Sequence, residues 1–143
     1  MRSLFGTVRD LLTARRELAA LEIRHLAAVR DADAAGYRLH TQRLTLLAAL
    51  AIEPRGPISA ERRVELEVRQ GVLVLEVMAC RHAANRARAA LRIVRSPRFR
   101  RWYAATPELP RADVAVVSAF CAAHPADPGV LGLAVGTELL PAR

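Results

Sequence analysis

The chain has 143 residues, 52% of them hydrophobic and only 4% aromatic, with a formal net charge of +8. That length predicts one domain, and the apolar fraction is enough for a core, which excludes a chain disordered by composition. The apolar residues are mostly Ala, Leu and Val, which favour helices over a sheet sandwich.

All 22 basic residues are Arg, and their placement is uneven. Residues 1–52 carry +3, 53–76 carry −1, 77–107 hold eight Arg and no acid, and 108–143 carry −2. The excess therefore sits mainly in one block. Cys80 and Cys121 have no framework spacing, and the first 25 residues are charged every few positions, with no signal-peptide apolar region. The expectation is a reduced, cytoplasmic protein. No stretch reaches the ~18 apolar residues of a membrane span.

Between Ser3 and about Ala51 there is no proline, and apolar residues recur at steps of three and four. Leu4, Leu11, Ala14, Leu18, Leu21, Ala28, Ala32, Ala35, Leu39, Leu46 and Ala49 form a heptad-like seam, interrupted by Thr7, His25 and Gln42. The pattern predicts one long helix, with Gly36 as the point of a kink or break. "EPRGPIS" (53–59) reads as a turn. Ser59 is placed to cap a second helix from about Ala60 to Arg95, with Glu61 and Glu65 near its positive end and Pro97 beyond its stop.

The second helix has a seam of Leu66, Leu73, Val77, Cys80, Ala84, Ala87, Leu91 and Val94. A second apolar arc holds Val68, Val72, Leu75, Ala79, Ala83, Ala90 and Ile93. One partner helix covers one face, so the second arc predicts packing by the C-terminal helices or by a second subunit. The short turn makes the two long helices an antiparallel hairpin, with Ala28, Ala32 and Ala35 near Cys80 and Ala84. After Pro97 the pattern gives a turn or two of helix, a loop between Pro107 and Pro110, and a short amphipathic helix at 111–124. A final segment follows "PADPG" as a weak helix or an extended arm. The expected fold is all-α: a single helical domain over 1–143, with a long antiparallel hairpin (3–95) and short C-terminal helices (97–143) packed at its open end.

Chemistry-bearing constellations are few. Cys80 and His82 diverge by about 200° on a helix, so Cys80, His82, Cys121 and His124 do not make a tetrahedral zinc set. Cys121 and His124 share a face but lack oxyanion donors. There is no Gly-rich phosphate loop, HExxH or GxSxG. Asp31 and Asp33 diverge, and His25 reads as a polar insert setting register. The sequence assigns no catalytic residue, metal or cofactor.

What remains is "RHAANRARAALRIVRSPRFRRWY" (81–103). Arg81, Arg88, Arg92 and Arg95 form a stripe along the hairpin edge, and Arg98, Arg100 and Arg101 crowd beside Phe99, Trp102 and Tyr103. Guanidinium forks pair with phosphates, and Trp102 or Tyr103 can stack on a base. The leading expectation is a non-enzymatic subunit of a larger assembly that binds the RNA or DNA backbone through these residues. The rival is a structural subunit, self-assembling or docked on an acidic protein, with no nucleic-acid role. Charge placement ranks a membrane surface last.

Overall fold

The computed structural model describes residues 4–51, 59–106 and 115–138, with side chains described from Asp10 to Ala51, Ser59 to Thr106 and Ala115 to Leu133. Five helices follow one another: α1 (Leu4–Ala51), α2 (Ala60–Arg95), α3 (Pro97–Ala105), α4 (Ala115–Ala123) and α5 (Pro128–Glu138). The described residues contain no strand, and α1 packs against α2 as the expected helical hairpin. The turn at 53–58, the loop from Pro107 to Pro110, the start of the 111–124 helix and the chain end at 139–143 lie outside the described residues.

The helix boundaries follow local chemistry. Ser59 caps α2: its Oγ accepts from the Arg62 N–H at 3.2 Å, and its carbonyl accepts from the Arg63 N–H at 3.0 Å. α2 stops at Arg95 because Ser96 turns the chain. The Ser96 Oγ donates to the Ile93 carbonyl at 2.7 Å and accepts from the Phe99 N–H at 3.2 Å. Pro97 then occupies the first turn of α3, where a missing N–H costs nothing. Asp127 does the same for α5, accepting from the Gly129 N–H at 2.9 Å on Oδ1 and from the Leu131 N–H at 2.9 Å on its carbonyl. The last segment is thus a helix from Pro128, not an extended arm.

Two compact units are present, one made of Met1–Val29 with Asn85–Arg143 and one made of Arg30–Ala84. The first holds the core. Ala14, Leu18 and Leu21 from α1 meet Ile93 and Val94 of α2, Phe99 and Tyr103 of α3, and Val116, Val117 and Phe120 of α4. Phe99 and Phe120 sit edge to face with centroids 5.2 Å apart. Burying each such side chain contributes roughly 1.5–3 kcal/mol. The second unit is two helices alone, and only Leu73 and Ala84 of its described residues are buried.

Two expectations about α1 change. The helix runs unbroken through Gly36, and a Cβ there would lie 3.4 Å from Cys80 Cβ, an ordinary contact. Small residues meet where the helices of that unit approach, at Gly36 and Cys80. The seam also drifts. Ala28 is exposed and Val29 buried, while Gln42 is exposed and Arg43 half-buried. A straight helix has 3.6 residues per turn, so a strict heptad reading slips by about 20° every seven residues. Leu11, at 58% exposure, is outside the core as well.

The two described glycines with measurable surroundings in α5 separate cleanly. A Cβ at Gly132 meets nothing within 4 Å, whereas one at Gly129 would lie 3.1 Å from Asp127 Oδ1 and 3.2 Å from Ile93 Cγ1. Gly132→Ala should therefore raise stability by about 0.5–1 kcal/mol, the usual helix-interior gain. Gly129→Ala should lower it, because the cap or Ile93 must shift. Thermal melts of the two variants check both signs.

Candidate nucleic-acid interface

The Arg–aromatic segment begins where α2 ends, and the Ser96–Pro97 corner folds α3 back so that its apolar face meets the core. Phe99 is 0% and Tyr103 1% exposed. Trp102 is half-buried, packed 5.8 Å from Phe99, 5.2 Å from Phe120 and 5.9 Å from His124 between ring centroids. The Tyr103 hydroxyl donates to Glu17 Oε2 at 2.9 Å. Tyr103 is thus a correction to the expected base-stacking pair: its ring is enclosed by the core and offers no open face. Trp102 spends its ring faces largely on Phe99, Phe120 and His124, all drawn from its own unit.

The arginines divide into two groups. Arg95 donates from Nε to Glu22 Oε1 at 2.6 Å, and Arg100 donates from Nη2 to Glu22 Oε2 at 3.3 Å, so one carboxylate ties α1 to both α2 and α3. Arg98 donates from Nη1 to Asp127 Oδ2 at 3.1 Å. Arg101 donates from Nε to the Pro97 carbonyl of its own helix at 3.4 Å. Arg88 is half-buried with Nη1 on Asn85 Oδ1 at 3.3 Å, while Arg92 is exposed. In the other unit Arg81 is exposed and lines an open pocket of about 220 Å³ with Asp33, Gly36, Tyr37, His40 and Val77. Arg92, Arg95, Arg98, Arg100 and Arg101 are exposed, and three of them, Arg95, Arg98 and Arg100, are paired with carboxylates of their own unit.

Sequence reasoning missed Glu17, Glu22 and Asp127. They lie 73 to 86 positions away for the α1 pairs and 29 for Asp127, beyond any local window. The pairs of Glu22 are half-exposed at the arginine ends, so each is worth at most about 1 kcal/mol. Their larger effect is on charge: acids from outside the block sit against it.

The remaining titratable groups are structural in placement. His124 stacks on Phe120 with centroids 4.4 Å apart, and its Nδ1 lies 3.1 Å from the Phe120 carbonyl. Burial and the Asp127 charge push the Cys121 thiol up, away from thiolate character. No group of three or more His, Cys, Asp or Glu is arranged to hold a metal among the described residues. No described helix is long and apolar enough to cross a membrane. His25 is buried on the α1 seam, and its Nε2 has no hydrogen-bond partner among the described residues, so it is not the satisfied insert expected. Burial lowers its pKa.

Comparison of the chain with family models, with curated proteins and with solved structures gives no match.

Two groups of the first unit make its stability depend on pH. Burial pushes the Asp127 carboxyl up, but the Gly129 N–H, the Arg98 guanidinium and the Val130 N–H together outweigh it and hold the group below the ordinary carboxylate range. Its contribution is present above the unfolded value and lost as pH falls through the folded one. For His25 the unfolded chain binds the proton more readily, so stability drops as pH falls below about 6.5. Denaturant melts across pH should show both losses. His25→Leu should flatten the upper one. Asp127→Asn should flatten the lower one, while Asp127→Ala should lower stability at neutral pH by about 1–2 kcal/mol, as loss of a helix cap does.

Proposed function

We propose that the protein is a non-enzymatic structural subunit that assembles through the outer surface of its two-helix unit. One observation carries this reading. On α2, Val64, Val68, Val72, Leu75 and Met78 are 58%, 62%, 49%, 67% and 39% exposed. At 100° per residue the first four fall within about an 80° arc, on the side of the helix away from its seam with α1. An apolar stripe of that length, on a unit that buries only two of its described residues, is a surface whose cover lies outside the unit. Val68, Val72 and Leu75 belong to the second arc of the sequence, of which Ile93 is buried in the core and Ala90 packs against it.

A photo-crosslinking amino acid at Leu75 should form a covalent protein adduct in cells. The same group at Arg63, about 120° round the helix, should not. Adducts identified by mass spectrometry support the reading. No adduct at Leu75, or equal adducts at both positions, overturns it.

A second reading keeps support from the exposed Arg81, Arg92, Arg98, Arg100 and Arg101, which lie in a block with eight Arg and no acid. It holds that the subunit also contacts nucleic-acid phosphates, without sequence preference. Oligonucleotide affinity should then fall steeply with salt, and Arg92→Ala with Arg101→Ala should weaken it and reduce the salt slope by roughly two. These two residues are chosen because neither holds a carboxylate among the described residues, whereas Arg95, Arg98 and Arg100 do. Binding that is absent at low salt removes the second reading and leaves the first intact.

A further inference from the structure

We infer that the partner on this face is a second copy of the chain, with the two α2 helices packed antiparallel about a two-fold axis between Val72 and Leu75. The inference rests on the assembly reading and goes on to name the occupant.

The argument is self-complementarity. A two-fold contact places the same patch on both sides, so a residue before the centre must suit one the same distance after it. Val68, Val72, Leu75 and Ala79 follow steps of four, three and four, the spacing of a coiled-coil seam. All four are exposed. Centred between 72 and 75, Val72 of one copy meets Leu75 of the other, and Val68 meets Ala79. Each layer then joins a larger side chain to an equal or smaller one.

The flanks match too. On one side of the stripe Arg69 and Glu76 occupy equivalent flanking positions, both exposed. The two-fold sets Arg69 of each copy against Glu76 of the other, giving two opposite-charge pairs. On the other side lie Gly71 and Met78. A Cβ at Gly71 would meet nothing within 4 Å in its own chain, and Met78 is 39% exposed. The same axis sets each Met78 over the Gly71 of the other copy, a long flexible side chain over the position that has none. At the margin Glu65 falls opposite His82. A parallel pairing would instead set Glu76 beside the partner copy's Gly71 and Arg69 beside its Val64, with no opposite-charge pair.

Sedimentation equilibrium of the full chain tests this. The chain should be a dimer at micromolar concentration. Leu75→Asp should give a monomer with unchanged helicity, since Leu75 is 67% exposed and supports nothing within its own chain's core. Arg69→Glu and Glu76→Arg should each weaken the dimer about ten-fold, because two attractive pairs become repulsive. The double exchange Arg69→Glu with Glu76→Arg should restore most of that loss. A monomer at about 100 micromolar, a dimer indifferent to Leu75→Asp, or a double exchange no tighter than the single changes would overturn the inference. A Leu75 adduct containing only a different protein would overturn it while leaving the assembly reading standing.

Discussion

Two helices in contact share one face, and everything apolar beyond that face needs a third body. This constraint organises the molecule. In the unit formed by Met1–Val29 and Asn85–Arg143 the third body is supplied by α3 and α4, whose Phe99, Tyr103 and Phe120 close over Leu18, Leu21 and Val94. In the unit Arg30–Ala84 the described residues form two helices and no third. Leu39, Leu46, Leu66 and Val77 are then only half-buried, and the valines on the far side of α2 face outward. The same apolar richness yields a core in one unit and a bare surface in the other.

Charge follows the same division. Where α3 returns to α1, Glu22 collects Arg95 and Arg100, and Asp127 collects Arg98 while capping α5. A carboxylate that anchors a helix end and a guanidinium at once is more firmly placed than either contact alone would make it. The arginine block is therefore not a uniform field. Part of it is stitched into the unit that bears it, and Arg81, Arg92 and Arg101 are turned to solvent with no carboxylate hydrogen bond of that kind among the described residues.

The hairpin was legible because it is written locally. Three-and-four spacing, the Ser59 cap and the Ser96–Pro97 stop each involve residues a few positions apart. The second arc of α2 was legible for the same reason. A helical wheel describes one helix, however, and it cannot say which faces a returning chain will cover. Ile93 belongs to the same arc as Val72, yet one is buried and the other is not, because α3 and α4 reach only the first. Tyr103 read as a stacking group since its neighbours are arginines, but it is buried in the core with Leu18 and Leu21, and its hydroxyl reaches Glu17, 86 positions away. Val29 and Arg43 were missed for a geometric reason, the drift of a 3.6-residue turn against a seven-residue ruler.

The Ser96–Pro97 corner has a consequence for how the chain reaches its final form. The core joins Leu18 and Leu21 to Phe99 and Phe120, so its ends are brought together only after most of the sequence exists. The intervening segment 30–84 can pair locally, but it has almost nothing to bury while doing so. Loop closure must precede the packing that rewards it, which makes the topology non-local despite its helical content. During synthesis α1 emerges long before α3 does, with Leu18 and Leu21 still uncovered. The tight corner, set by one serine and one proline, is what turns the late segment back on the early one.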